Sequence, residues 1–170
     1  MIGSLLIGLI KSIGKKKAIT EDEYNRLKNI NGIGSPMNGR LILTSAYGNR
    51  KNPITGISQF HNGVDLISAE GKTDGRGITA SLPGEVIKNY YDAAGGYQLI
   101  INSGYAIFGY AHLKNKSPLN IGDLVKKGDI IGYVGNTGSS TGPHLHFTLR
   151  LGGVLVNPIN EIPALQNAIV

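Results

Sequence analysis

From Arg40 onward the chain alternates short apolar runs with clusters of Gly, Pro, Asn and Asp: LILTSAY, GITASL, GEVIKNYY, YQLIINS, YAIFGYAHL, DIIGYVG and LHFTLRL. Runs of this length bounded by turn residues predict strands rather than helices, so this region reads as a mainly β domain. KKGD at Lys126 to Asp129 and RLGG at Arg150 to Gly153 read as turns between strands. Within PHLHFTLR, strand alternation puts His144, His146 and Thr148 on one face and Leu145, Phe147 and Leu149 on the other. The apolar set is expected in the core, with both imidazoles projecting together into a cleft or solvent.

The pattern before Arg40 is different. In AITEDEYNRLKNINGIG, Thr20 followed by Glu23 forms a capping-box signature, and Tyr24, Leu27 and Ile30 recur on one helical face. This predicts one helix of about three turns, which Gly32 can end. Still earlier, Met1 to Ile10 is apolar, interrupted by Gly3, Ser4 and Gly8, and is followed by Lys11, Lys15, Lys16 and Lys17. A bilayer span needs about 20 apolar residues, so this run is too short to cross one. A secretory signal carries its charges before the apolar run, the reverse of the order here. Residues 1–17 therefore read as a segment docking at a membrane interface or on a protein, with a packed N-terminal helix as the equal alternative. The expected division is 1–38 for the apolar, basic segment and helix, 39–158 for the β domain, and 159–170 for a short tail.

Composition narrows the chemistry. Glycine is over-used, at 25 of 170 residues, which suits a turn-rich fold. There is no cysteine, which excludes disulfides, thiolate metal sites and a cysteine nucleophile, so any metal must be held by His and carboxylate. The net charge of +6 is shared along the chain, with six basic and three acidic residues in 1–38 and eleven and eight in the remainder. A mild positive charge favours residence near an anionic polymer without choosing which polymer.

All four histidines, His61, His112, His144 and His146, fall in the β domain. In FHNGVDL, His61 and Asp65 are spaced to share one side of an extended segment, and Asn62-Gly63 disfavours a helix there. Zinc in hydrolases is typically held by three groups drawn from His, Asp and Glu, with water in the fourth position. His61, Asp65 and one of the paired histidines meet that requirement. A single histidine on a strand is more often structural. The combination of H-x-x-x-D, Y-A-H and H-L-H is far more specific. The glycine-rich VGNTGSSTGP lacks the G-K-[ST] ending of a phosphate-binding loop and precedes a strand, so it reads as a turn or groove wall.

The succession SAYGNRKNPITG, FHNGVDL, GEVIKNYYDAAGGYQLIINS, FGYAHL, IGDLVKKGDIIGYVGNTGSSTGPHLHFTLR and VNP resembles the lysostaphin-type zinc endopeptidases, over about Leu41 to Pro158. The resemblance implies an antiparallel, sandwich-like β domain with a short N-terminal helical segment. It implies one zinc ion per chain on His61, Asp65 and His146, with His112 and His144 as catalytic residues. His144 is then expected in general base and acid work and His112 in stabilising the oxyanion. Asn49 and Arg50, in the G-x-R motif, are expected to border the site. The implied partners are peptide stems or crossbridges of bacterial peptidoglycan rather than nucleic acid, cut at the cell wall by an enzyme of bacterial or phage origin. Two other readings compete. A non-catalytic wall-binding or amidase-activating module would be expected to lack a ligand. A lipoyl-type carrier, suggested by lysines in DLVKKGDIIGYVG, explains none of the histidines.

Overall fold

The computed structural model describes residues 18–52 and 55–170, so the expected docking segment at 1–17 lies outside the described residues. Helix α1, Glu21–Asn29, opens on the expected capping box: Thr20 Oγ accepts from Glu23 N–H, and the Glu23 carboxylate accepts from Thr20 N–H. Tyr24 and Leu27 are buried, but Ile30 is 58% exposed. The helix ends at Asn29, and the left-handed turn at Asn31 (φ 55°) swings the chain away before a third apolar position can join the stripe.

Among the described residues, twelve strands follow: β1 Leu41–Ser45, β2 Gly48–Lys51, β3 Ser58–His61, β4 Val64–Ser68, β5 Gly77–Thr79, β6 Gly84–Asp92, β7 Gly96–Asn102, β8 Ala106–Leu113, β9 Leu124–Val125, β10 Ile130–Tyr133, β11 Leu145–Leu151 and β12 Val154–Val156. Eight of them form one sheet in the order β1-β4-β11-β8-β7-β6-β9, with β12 paired to the far end of β11. Every pairing between these strands is antiparallel, as short connections allow. Two small ribbons, β2-β3 and β5-β10, flank the sheet.

The alternation read from PHLHFTLR holds. Leu145, Phe147 and Leu149 are fully buried, and Phe147 packs on Phe108 and Tyr110 of β8 with ring centroids 6.1 and 5.3 Å away. Gly109 of β8 faces Thr148 across the ladder, where a Cβ would sit 2.3 Å from Thr148 Oγ1, so only glycine lets the two strands close.

The residues after Pro158 are packed. Helices α2, Pro158–Glu161, and α3, Pro163–Ala168, are joined by the buried Ile162, Leu165 of α3 is buried too, and the chain returns to β1, where Val170 N–H donates to the Leu41 carbonyl. Helix α1 meets α2 through Lys28 Nζ, 2.7 Å from the Glu161 carboxylate. Helix α1 and the C-terminal helices thus brace each other on one flank of the sheet. Among the described residues, no helix is long and apolar enough to cross a membrane.

Candidate metal centre

Three strands bring the site together. On β11, His146 lies in register with Asp65 of β4 on one side and Ala111 of β8 on the other. His61 ends β3 and reaches the same place across the Asn62-Gly63 turn. His61 and Asp65 therefore do not share one extended segment, as their spacing suggested. They converge because the chain turns between two strands. Gly63 makes this possible: a Cβ there would lie 2.5 Å from the Phe147 carbonyl oxygen and 2.9 Å from His146 Cε1.

The hydrogen bonds fix which atoms face inward. His61 Nδ1 lies 2.9 Å from the Ala46 carbonyl oxygen, which can only accept, so the ring carries its proton there and Nε2 presents a bare lone pair. His146 Nε2 lies 2.9 Å from Asn62 Oδ1 and donates to it, leaving Nδ1 bare. His61 Nε2 is 3.0 Å from His146 Nδ1, and Asp65 Oδ1 is 2.8 Å from His146 Nδ1 and 3.2 Å from His61 Nε2.

Three acceptors thus point at one another with no donor between them, an arrangement that repels unless a positive charge sits among them. Two imidazoles and a carboxylate are the donor set of a catalytic zinc site with an open position, and the residues fit that ion. Asp65 is itself buried, which works against its charged form and adds to the need for a positive charge at this point. Its second oxygen faces Arg50 Nη2 at 3.6 Å.

His112 and His144 lie beside this cluster, their rings 4.6 Å apart, and the His112 ring is 6.1 Å from that of His146. His112 Nδ1–H donates to the Thr137 carbonyl at 2.7 Å, and His144 Nδ1–H to the Gly142 carbonyl at 2.8 Å. Each ring keeps a bare Nε2, and that of His144 is 3.7 Å from Asp65 Oδ1. Burial pushes the His112 imidazole below its ordinary pKa and so favours the neutral ring, although the bond to the Thr137 carbonyl works the other way.

His112 also has a left-handed backbone, φ 59°. Phe108 and Tyr110 point into the core, so strict alternation along β8 would send His112 there too. The left-handed step lets Ala111 and His112, neighbours in sequence, both border the cleft.

All five candidate residues line one open cleft of about 430 Å³, together with Arg50. One wall is the β2-β3 ribbon with Gln59 and Phe60; the other is the β6-β7 turn and the 139–141 loop. Asn49 belongs to β2 but is not among the cleft-lining residues, whereas Arg50 is. Sequence reasoning missed Asn62 and Thr137, which orient two of the rings. Their side-chain types carry no signal, and for Thr137 the contacting atom is a backbone carbonyl.

A β-sheet cleft holding a two-histidine, one-aspartate zinc centre defines a metallopeptidase-type site. Residues 59–158 match Peptidase family M23, and the chain belongs to that family. It is 32% identical over 159 residues to the peptidoglycan DD-endopeptidase ShyC of Vibrio cholerae, covering 88% of this chain and 36% of ShyC. Among solved structures, a zinc-containing peptidase from Vibrio cholerae superposes with a TM-score of 0.64 at 31% identity, over 73% of this chain and 38% of that one. The catalytic domain of the prophage-encoded M23 protein EnpA from Enterococcus faecalis, solved as a mutant, gives a TM-score of 0.61 at 32% identity, over 75% and 95% of the two chains. The chain spans about a third of the length of ShyC and of the Vibrio cholerae peptidase.

Proposed function

We propose that this chain is a zinc-dependent endopeptidase that hydrolyses peptide crosslinks of bacterial peptidoglycan, acting at the cell wall. The observation that carries the reading is the convergence of three unprotonated ligand atoms on His61, Asp65 and His146 beside two further imidazoles with bare nitrogens. The substrate class is supported by relatives named as peptidoglycan DD-endopeptidases and as DD-carboxypeptidase/endopeptidase Mpg of Neisseria meningitidis.

Zinc in this site supplies a Lewis acid for the scissile carbonyl and lowers the pKa of a bound water toward neutrality. The protein supplies the rest. His144, its Nδ1–H tied to the Gly142 carbonyl, accepts a proton from the attacking water at Nε2 and returns it to the leaving amine. His112, after taking a proton from solvent at Nε2, would donate it in a hydrogen bond to the oxyanion as the carbonyl becomes tetrahedral. Both rings are held in one tautomer by backbone carbonyls, so neither has to reorganise as charge develops. Phe60 and Gln59 on one wall and Gln98 on the other offer an open groove in which an extended peptide can lie.

The test is digestion of defined crosslinked muropeptide dimers, with products identified by mass spectrometry. The native chain is expected to give monomers cut at one peptide bond, and His61→Ala to give none. Intact dimers with the zinc-loaded native chain, or undiminished cleavage by His61→Ala, would overturn the reading.

A further inference from the structure

We propose that Thr137 is a positioning residue for His112: its side chain bolts the 135–138 loop to β7 and β8, so that its own carbonyl holds the His112 ring in one tautomer facing the cleft. The inference rests on the reading of His112 given above.

His112 is constrained on three sides. Its N–H donates to the Gly95 carbonyl at 2.8 Å, its carbonyl accepts from Gly135 N–H at 3.0 Å, and its Nδ1–H donates to the Thr137 carbonyl at 2.7 Å. A non-glycine residue in a left-handed conformation costs of order 1–3 kcal/mol and persists only when its surroundings enforce it. Two of the three constraints come from the 135–138 loop. Beside backbone bonds such as Ser139 N–H to the Ala94 carbonyl and His144 N–H to the Gly135 carbonyl, the side-chain anchor of that loop is Thr137 Oγ1, which donates to the Leu113 carbonyl at 2.6 Å and accepts from Tyr97 N–H at 3.1 Å. One hydroxyl thus joins the loop to the residue directly after His112 and to the strand across from it.

The fit leaves no slack. A Cβ on Gly96 would lie 2.3 Å from Thr137 Oγ1, and one on Gly138 would lie 2.2 Å from Gly96 N. Two glycines, both with positive φ, let the loop and the β6-β7 turn touch backbone to backbone. A threonine at that junction has a purpose that its methyl group alone would not serve. Valine has the same shape and lacks both hydrogen bonds.

The experiment compares the zinc-loaded native chain with Thr137→Val, Thr137→Ser and His112→Ala. Crosslinked muropeptide dimers serve as substrate, zinc content is measured, and nitrogen-15 NMR of the imidazoles reports the tautomer. The native His112 is expected as the Nδ1–H tautomer. Thr137→Val is expected to lower kcat by about 10- to 100-fold with KM nearly unchanged, since a displacement of about an ångström costs that much. It should retain one zinc, because Thr137 touches no ligand, and show a mixed His112 tautomer. Thr137→Ser, which keeps the hydroxyl, should restore both signals.

If His112→Ala abolishes turnover while Thr137→Val leaves kcat and tautomer unchanged, the positioning role is wrong and the role of His112 stands. If His112→Ala leaves kcat unchanged, the reading of His112 itself fails. Should Thr137→Val not fold, the native spectrum still decides: a proton on His112 Nε2 rather than Nδ1 would overturn the proposal.

Discussion

Replacing Asn62 with alanine removes the acceptor that faces His146 Nε2 at 2.9 Å without touching any of the three ligand atoms. With that bond in place the proton is held on Nε2, so Nδ1 is presented bare toward Asp65 and His61. Without it, the ring is free to rotate and to exchange tautomers, and zinc binding must then select the competent arrangement. Loss of a partner that orients a metal ligand typically weakens affinity by about 10- to 100-fold. Asn62 is exposed, and water can replace part of the bond, so the lower end applies: about tenfold, or about 1.4 kcal/mol. Asn62→Asp should act in the opposite direction, because a carboxylate accepts more strongly and raises the basicity of the ring. The assay is competition for zinc against a chromophoric chelator at fixed pH and ionic strength. Equal affinities for the native chain, Asn62→Ala and Asn62→Asp would refute the orienting role.

Two further predictions concern the frame around the site. Gly63→Ala places a Cβ 2.5 Å from the Phe147 carbonyl oxygen and 2.9 Å from His146 Cε1, so it should push the β3-β4 turn off β11. Both Tm and zinc affinity should fall together, as read by thermal denaturation with and without zinc; an unchanged Tm and affinity would contradict the close approach. Burial pushes the Tyr110 hydroxyl up to about 12, against its hydrogen bond from Ser81 N–H. Because the folded value is raised above the ordinary value of about 10, its stabilising contribution is fully present below about pH 10 and is lost as pH rises toward about 12. Tyr110→Phe should therefore lose stability at neutral pH, by about 1–3 kcal/mol for the stranded Ser81 N–H, yet show a shallower decline above about pH 10 in urea titrations.

Much of the β domain was legible because strand alternation is a local property. Leu145, Phe147 and Leu149 announced a buried face, and the structure buries all three. The capping box at Thr20 and Glu23 was equally local and is present. The ligand set came from motif spacing and resemblance, and His61, Asp65 and His146 do converge. The route was not legible, because their meeting depends on β4 and β11 pairing between Asp65 and His146, far apart in sequence, and on a turn at Gly63 that spacing cannot reveal. Ile30 misled for a related reason: helical periodicity says nothing about where a left-handed residue such as Asn31 will end the stripe.

The left-handed backbone at His112 has no sequence signature either, since tertiary hydrogen bonds impose it. Roles played by backbone carbonyls, at Ala46, Thr137 and Gly142, are invisible to side-chain reading in principle. Residues after Pro158 read as a short tail, but Pro158 and Pro163 each open a short helix, because proline is well suited to a first turn.

The central claim is that one zinc ion is held by His61 Nε2, Asp65 Oδ1 and His146 Nδ1. Anomalous diffraction from crystals of the zinc-loaded full chain, collected on either side of the zinc absorption edge, tests it most directly. The account predicts a single strong peak about 2.0–2.2 Å from each of those three atoms, with the Nδ1 atoms of His112 and His144 still on the carbonyls of Thr137 and Gly142. A peak elsewhere, or none at a zinc concentration that saturates binding in solution, would contradict it.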